Sequence, residues 1–277
     1  MARAGLIVDF LRERGRTYSY GPDRSQRAEL HLPPDPESHP PHPVMVLIHG
    51  GSWQARFSKV VMRGLARDLR RRGWAVWNIE YRRVGDGGGW PATFADVAAA
   101  IDLLPELDAP LDLERVSLLG HSAGGHLALW AASRERLPAG APGALAEGAG
   151  VRIRQTISQA GVADLAGSYR LWHGGAASQL MGGGPDERPE RYDVGDPIRL
   201  VPASSPVLLV HGVDDETVSV ELSRHYADAA RAAGGEVELV EIEGRAGRHR
   251  AHIDPREAAW ATVAERLAHT PSSSLAR

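Results

Sequence analysis

Cysteine is absent from the 277 residues. Disulfides and thiolate metal centres are therefore excluded, and a chain of this length needs no such staples to bury a core. Charge of one sign is not in excess either. Against 32 Lys and Arg stand 35 Asp and Glu, a formal net charge of −3, which offers no face for nucleic acid. Lysine is almost missing, with Lys59 alone among abundant arginines. The basic run Arg67 to Arg72 falls late in a predicted helix, where cations complement the dipole. No apolar run approaches the roughly 20 residues that a membrane helix needs. The N-terminal apolar patch is broken by Asp9 and no small-residue cleavage site follows it. The expectation is a cytoplasmic protein without a leader, binding neither membrane nor nucleic acid. Its oligomeric state stays open, a homodimer being one option.

What the chain has is alternation of strand and helix. Arg16 to Tyr20 and Arg27 to Leu32 read as strands joined by a turn at Gly21-Pro22-Asp23. Val44 to Ile48, Trp74 to Tyr81, Arg115 to Leu119, Gln155 to Ala160, Pro206 to Val210 and Val237 to Ile242 follow as further strands. Helical patterns cover Ala55 to Arg72, Pro91 to Leu104, Ala123 to Ser133, Val218 to Ala233 and Pro255 to Leu267, the last with Asp254 as its expected N-cap. The fold class is α/β: a mostly parallel central sheet of about eight strands with helices on both faces. Residues 1–277 read as a single domain, 165–201 as a short lid-like insertion, and 271–277 as a flexible polar tail.

Candidate chemistry gathers where strands end, as expected for ligand sites in such sheets. Gly120-His121-Ser122-Ala123-Gly124 lies between a buried strand and a helix. Such a turn lifts the serine hydroxyl out of the sheet at a helix N-terminus, where developing negative charge is favoured. A serine needs a base, and the base an orienting acid. Asp214 and Asp215 follow one strand; His249 and His252 follow the last. His49-Gly50-Gly51-Ser52-Trp53 follows another, and its glycines let backbone N–H groups approach an oxyanion.

These motifs resemble the α/β-hydrolases of the lipase, esterase and kynurenine formamidase branch, over roughly residues 44–267. His211-Gly212-Val213-Asp214-Asp215-Glu216-Thr217-Val218 is similar to that fold's His-Gly-x-x-Asp-x-x-Val-Pro, with Ser219 in place of proline, which implies Asp215 as the acid. His249 to Pro255 resembles His-Phe-x-x-Ile-Asp-Pro, with Arg250 in place of the aromatic residue, which implies His249 as the base. The His-Gly-Gly-x-Trp loop implies oxyanion donors at Gly50, Gly51 and Ser52, with Ala123 as their partner and His49 as a brace. Trp53, His121, Trp172 and His173 are candidate pocket residues, with Tyr169, Leu171, Leu180 and Met181 also available in the insertion. The resemblance implies a serine hydrolase acting on a carboxylic ester of a small or medium acyl group, without metal or organic cofactor. An arylformamidase is the alternative, with a peptidase and a catalytically inactive scaffold behind it.

Overall fold

The computed structural model describes residues 15–37, 40–146 and 148–269. The expected flexible tail and the N-terminal apolar patch lie outside them. Among the described residues, an eight-stranded sheet is built from β1 (Arg16–Ser19), β2 (Arg27–His31), β3 (His42–Ile48), β4 (Ala75–Ile79), β5 (Leu111–His121), β6 (Ile153–Gln159), β7 (Val207–Gly212) and β8 (Val237–Ile242). Their spatial order is β1-β2-β4-β3-β5-β6-β7-β8. Pairing is parallel from β4 through β8 and antiparallel for β1 with β2 and β2 with β4.

The period of two decides which side chain meets which layer. In β3, Val44, Val46 and Ile48 face one cluster, and Met45 and Leu47 face the other. The first cluster packs beneath α2 (Ala92–Asp102) and α3 (Ala123–Ala131). The second packs on α1 (Arg63–Arg71) and the last helix, Ala258–His269. Across that second face Trp260 donates its indole N–H to Asp68 at 2.8 Å, tying the two helices together. Half-exposed β8 has the character of an edge, whereas β4 is buried along its whole length.

Segment 165–201 carries three short helices, α4 (Leu165–Leu171), α5 (Gly175–Met181) and α6 (Pro189–Gly195). Leu180 and Met181 lie in the core under it. Two elbow-helix side chains hold its far end: His126 donates to the Gly195 carbonyl at 2.9 Å and Trp130 to that of Val194 at 2.9 Å.

Helix starts differ from the sequence expectation for local reasons. The pattern from Ala55 gives α1 only at Arg63, after a 3-10 turn over Lys59–Met62; the Ala55 N–H goes to the Val84 carbonyl. The helix expected from Val218 is α7 (Glu221–Ala232), and the Thr217 and Val218 amides before it bind Asp215. Asp254 does not cap the last helix, α8 (Ala258–His269). Its carboxylate closes the turn ahead of the helix, accepting the Arg256 N–H and the Arg256 guanidinium, and the helix opens at Ala258.

Candidate active site

Strand β5 enters α3 through Ser122, whose φ is 56° and ψ −122°. A side chain rarely adopts that conformation and it costs about 1–3 kcal/mol. Backbone bonds hold it there: the Ser122 N–H donates to the Gln159 carbonyl at 2.9 Å, and its own carbonyl accepts the N–H groups of Gly125 and His126. The glycines are required by close approach. A Cβ at Gly120 would overlap the Gly124 carbonyl, and one at Gly124 would overlap that of Ile48. Ser122 thus stands at the N-terminus of a nine-residue helix, with the dipole and free amides beneath it.

The loop after β3 lies against this elbow. A Cβ on Gly50 would come within 2.9 Å of the Ser122 Cβ. Gly51, Ser52 and Trp53 all have positive φ, at 112°, 53° and 56°. Two bonds fix the turn, Gln54 N–H to Gly51 carbonyl at 2.9 Å and Val84 N–H to Trp53 carbonyl at 2.8 Å. Among the described residues no backbone acceptor takes the amides of Gly51, Ser52 or Ala123. His49 supports the loop from behind. Its ring bonds the Gly50 carbonyl at 2.8 Å and Glu80 at 2.7 Å and stacks on Tyr81, whose hydroxyl donates to the His49 carbonyl. Burial alone would raise the Glu80 carboxyl, but His49, Arg83 and the Lys59 N–H hold it below its usual range.

Asp215 and His249 meet. The His249 Nδ1 is 2.8 Å from Asp215 Oδ2. The other carboxylate oxygen accepts the N–H groups of Thr217 at 2.8 Å and Val218 at 3.0 Å. Burial opposes the charge on Asp215, yet the His249 bond and these amides keep its pKa lowered. The neighbouring Asp214 is exposed. His252 is fully buried, and burial pushes it down to about 4. The Gly247 backbone gives its ring little compensation, with neither nitrogen at full hydrogen-bonding geometry.

Among the expected pocket residues only some line the cavity at Ser122. It measures about 270 Å³ and is bounded by Ser52, Trp53, Ala123, Ser168, Trp172 and Thr217, with Val162, Val218 and the Gly174–Ala176 turn completing the wall. His173 is exposed and outside it. His121 is also outside, because its ring turns toward His249 at 4.6 Å between centroids. Tyr169 packs against the core, and Leu171 is exposed.

Sequence reasoning missed Ser168, Thr217, Glu80, Gln159 and His211. His211 is fully buried beside the acid, 3.8 Å from Asp215 Oδ2. It donates to the Val218 carbonyl at 2.9 Å and meets Ser223 Oγ at 2.7 Å. Its place at the end of β7 was the available signal, as was that of Glu80 just beyond β4. Among the described residues no cluster of His, Asp or Glu suited to a metal ion occurs, and no helix is long and apolar enough to cross a membrane.

Comparison with known proteins agrees with this architecture. The chain is 26% identical over 263 residues to the probable isoprenylcysteine alpha-carbonyl methylesterase ICME of Oryza sativa subsp. japonica, covering 88% of this chain and 60% of that one. It is 28% identical over 227 residues to the esterase LipQ of Mycobacterium tuberculosis, covering 78% and 52%. The chain thus spans only part of these relatives' length. Among solved structures, a truncated carbohydrate esterase from gut microbiota superposes with a TM-score of 0.76 at 21% identity, covering 92% of this chain and 96% of the other. A thermophilic esterase from Thermogutta terrifontis with propionate bound gives 0.72 at 22% identity, covering 92% and 93%. The fold is the α/β-hydrolase fold. Residues 29–229 match the BD-FAE family model, and the chain belongs to the BD-FAE family.

Proposed function

We propose that the protein is a serine esterase that cleaves small-acyl carboxylic esters with Ser122 as nucleophile, His249 as base and Asp215 as acid. The observation that carries this reading is the 2.8 Å bond between His249 Nδ1 and Asp215, beside a serine held at a strained strand-to-helix turn. That bond leaves Nε2 of His249 as the basic nitrogen. His249 takes the Ser122 proton as Oγ attacks the carbonyl carbon, and Asp215 stabilises the imidazolium. The oxyanion rests on amides of Gly51, Ser52 and Ala123, with Gly50 bringing the loop close, each donor being worth about 3 kcal/mol. Collapse breaks the bond to the alcohol, which leaves with the proton from His249. Water then repeats the cycle on the acyl-enzyme, releasing acid and free Ser122.

The names of the relatives support ester over amide cleavage. The size of the cavity, about 270 Å³, supports a short acyl group, since pockets for drug-sized ligands run roughly 300–1,000 Å³. The propionate of the Thermogutta esterase accords with that. Helices α4 to α6 serve as a small lid, with Ser168, Trp172 and the Gly174–Ala176 turn as its inner wall. The two indoles of Trp53 and Trp172 favour an arylformamide as the second reading, which a direct comparison of rates on p-nitrophenyl acetate and N-formylkynurenine tests. Ser122→Ala checks the proposal itself. Hydrolysis of p-nitrophenyl acetate is expected to fall to the buffer rate while thermal unfolding is retained; near-full activity would overturn the reading.

A further inference from the structure

We propose that His121 is a positioning residue that locates the base by holding the backbone of its loop. It rests on the reading of Ser122 and His249 above. Residues 244–253 form two 3-10 turns outside the sheet, so nothing in the sheet's own bonding fixes them. Three adjacent strand ends hold them instead. At the end of β5, His121 Nε2 lies 2.9 Å from the His249 carbonyl. At the end of β6, Gln159 Nε2 donates to the His252 carbonyl at 2.9 Å. At the end of β7, Gly212 approaches Gly247 so closely that a Cβ would overlap its carbonyl. The His121 peg acts on the base residue itself, and it belongs to the residue that precedes the nucleophile. One dipeptide at the sheet edge therefore sets both reacting groups.

The chemistry of the ring agrees. A carbonyl accepts, so Nε2 of His121 carries the hydrogen and Nδ1 does not need one. Burial lowers its pKa well below the usual value, and the groups facing it are His249, His252 and Asp215. The ring packed 4.6 Å from His249 thus stays neutral when His249 becomes an imidazolium. A residue needed only for packing would fill this place better as an aliphatic side chain, since a buried imidazole carries a desolvation cost.

The test compares His121→Asn, whose amide is too short to reach the carbonyl, with His121→Gln, which restores a donor near the Nε2 position. Steady-state hydrolysis of p-nitrophenyl acetate is followed well below each variant's thermal midpoint. His121→Asn is expected to lose roughly 10- to 100-fold in kcat, the scale of an ångström's misplacement, with KM within about twofold. His121→Gln should recover most of the lost kcat. Equal losses in the two variants, or wild-type kcat in His121→Asn, would overturn the inference. If His121→Asn does not fold, His121→Leu fills the ring's place without a donor and carries the same expected loss of kcat; wild-type kcat there would overturn the inference. A parallel Ser122→Ala enzyme separates the two claims, since retained activity there sinks the esterase reading, whereas an inert Ser122→Ala beside a fully active His121→Asn sinks only the positioning role.

Discussion

His249 and Asp215 share a single short bond, and the two carboxylate oxygens serve different partners. Oδ2 faces the imidazole at 2.8 Å while Oδ1 takes two backbone amides. The amides fix the carboxylate, and the carboxylate fixes the tautomer. Asp215→Asn keeps the shape but offers an amide where the ring needs an acceptor. kcat on p-nitrophenyl acetate is expected to fall about ten-thousand-fold, the scale seen when a triad acid loses its tautomer control. Exposed Asp214 gives the control, since Asp214→Asn should stay within about twofold of wild type, as surface changes do.

Chain-length preference follows from the wall that segment 165–201 gives the cavity. Trp172 is 40% exposed yet lines the cavity at Ser122, so trimming it enlarges the site without opening the core. Trp172→Ala is expected to raise the octanoate-to-acetate ratio of kcat/KM for p-nitrophenyl esters by about tenfold or more, the low end of what a single methylene is worth in an apolar pocket. An unchanged ratio would place the acyl chain elsewhere.

Acid stability is governed by histidines held neutral. Burial lowers His121 and His211, and drives His126 and His252 down to about 4. The unfolded chain binds protons on these rings near pH 6.5 and the native protein does not, so stability falls as pH drops from about 6.5 toward 4. Each ring contributes a slope of up to about 1.4 kcal/mol per pH unit. Asp196 acts in the other direction. Burial raises it to about 7, so it binds its proton more readily when folded and adds stability as pH falls through the same window. With four groups against one, the thermal midpoint should drop steeply between pH 7 and 5, and His126→Phe should flatten the drop. A midpoint that is level across that range would contradict this account.

Close approach at the elbow makes its glycines intolerant. Gly124→Ala sets a methyl against the Ile48 carbonyl, a backbone atom of a central strand that has no room to retreat. A loss of about 3 kcal/mol or more is expected, at the upper end for overpacking, and urea unfolding would measure it. Gly140→Ala, where a Cβ meets nothing within 4 Å although φ is 84°, should cost far less.

The sequence made the strands legible because burial on both faces leaves continuous apolar runs such as Val44 to Ile48. The residues that meet at the site were legible because each follows a strand. Helix starts were harder. Pro255 and Asp254 look like an N-terminus, yet the Asp254 carboxylate is spent on Arg256. His121 was expected in the pocket; that its ring turns to a carbonyl 128 residues away follows only from how the loops fold over the sheet. Ser168 and Thr217 carried no signal, being common polar residues whose role is set by the wall they complete.

On the proposed reading, Ser122 is the group that attacks the ester. Purified protein treated with a fluorophosphonate and digested for mass spectrometry tests it directly. One adduct per chain is expected, on the peptide carrying Ser122, with hydrolysis lost in proportion to labelling and no adduct in Ser122→Ala. Labelling at another residue, or full hydrolysis by protein carrying the Ser122 adduct, would contradict it.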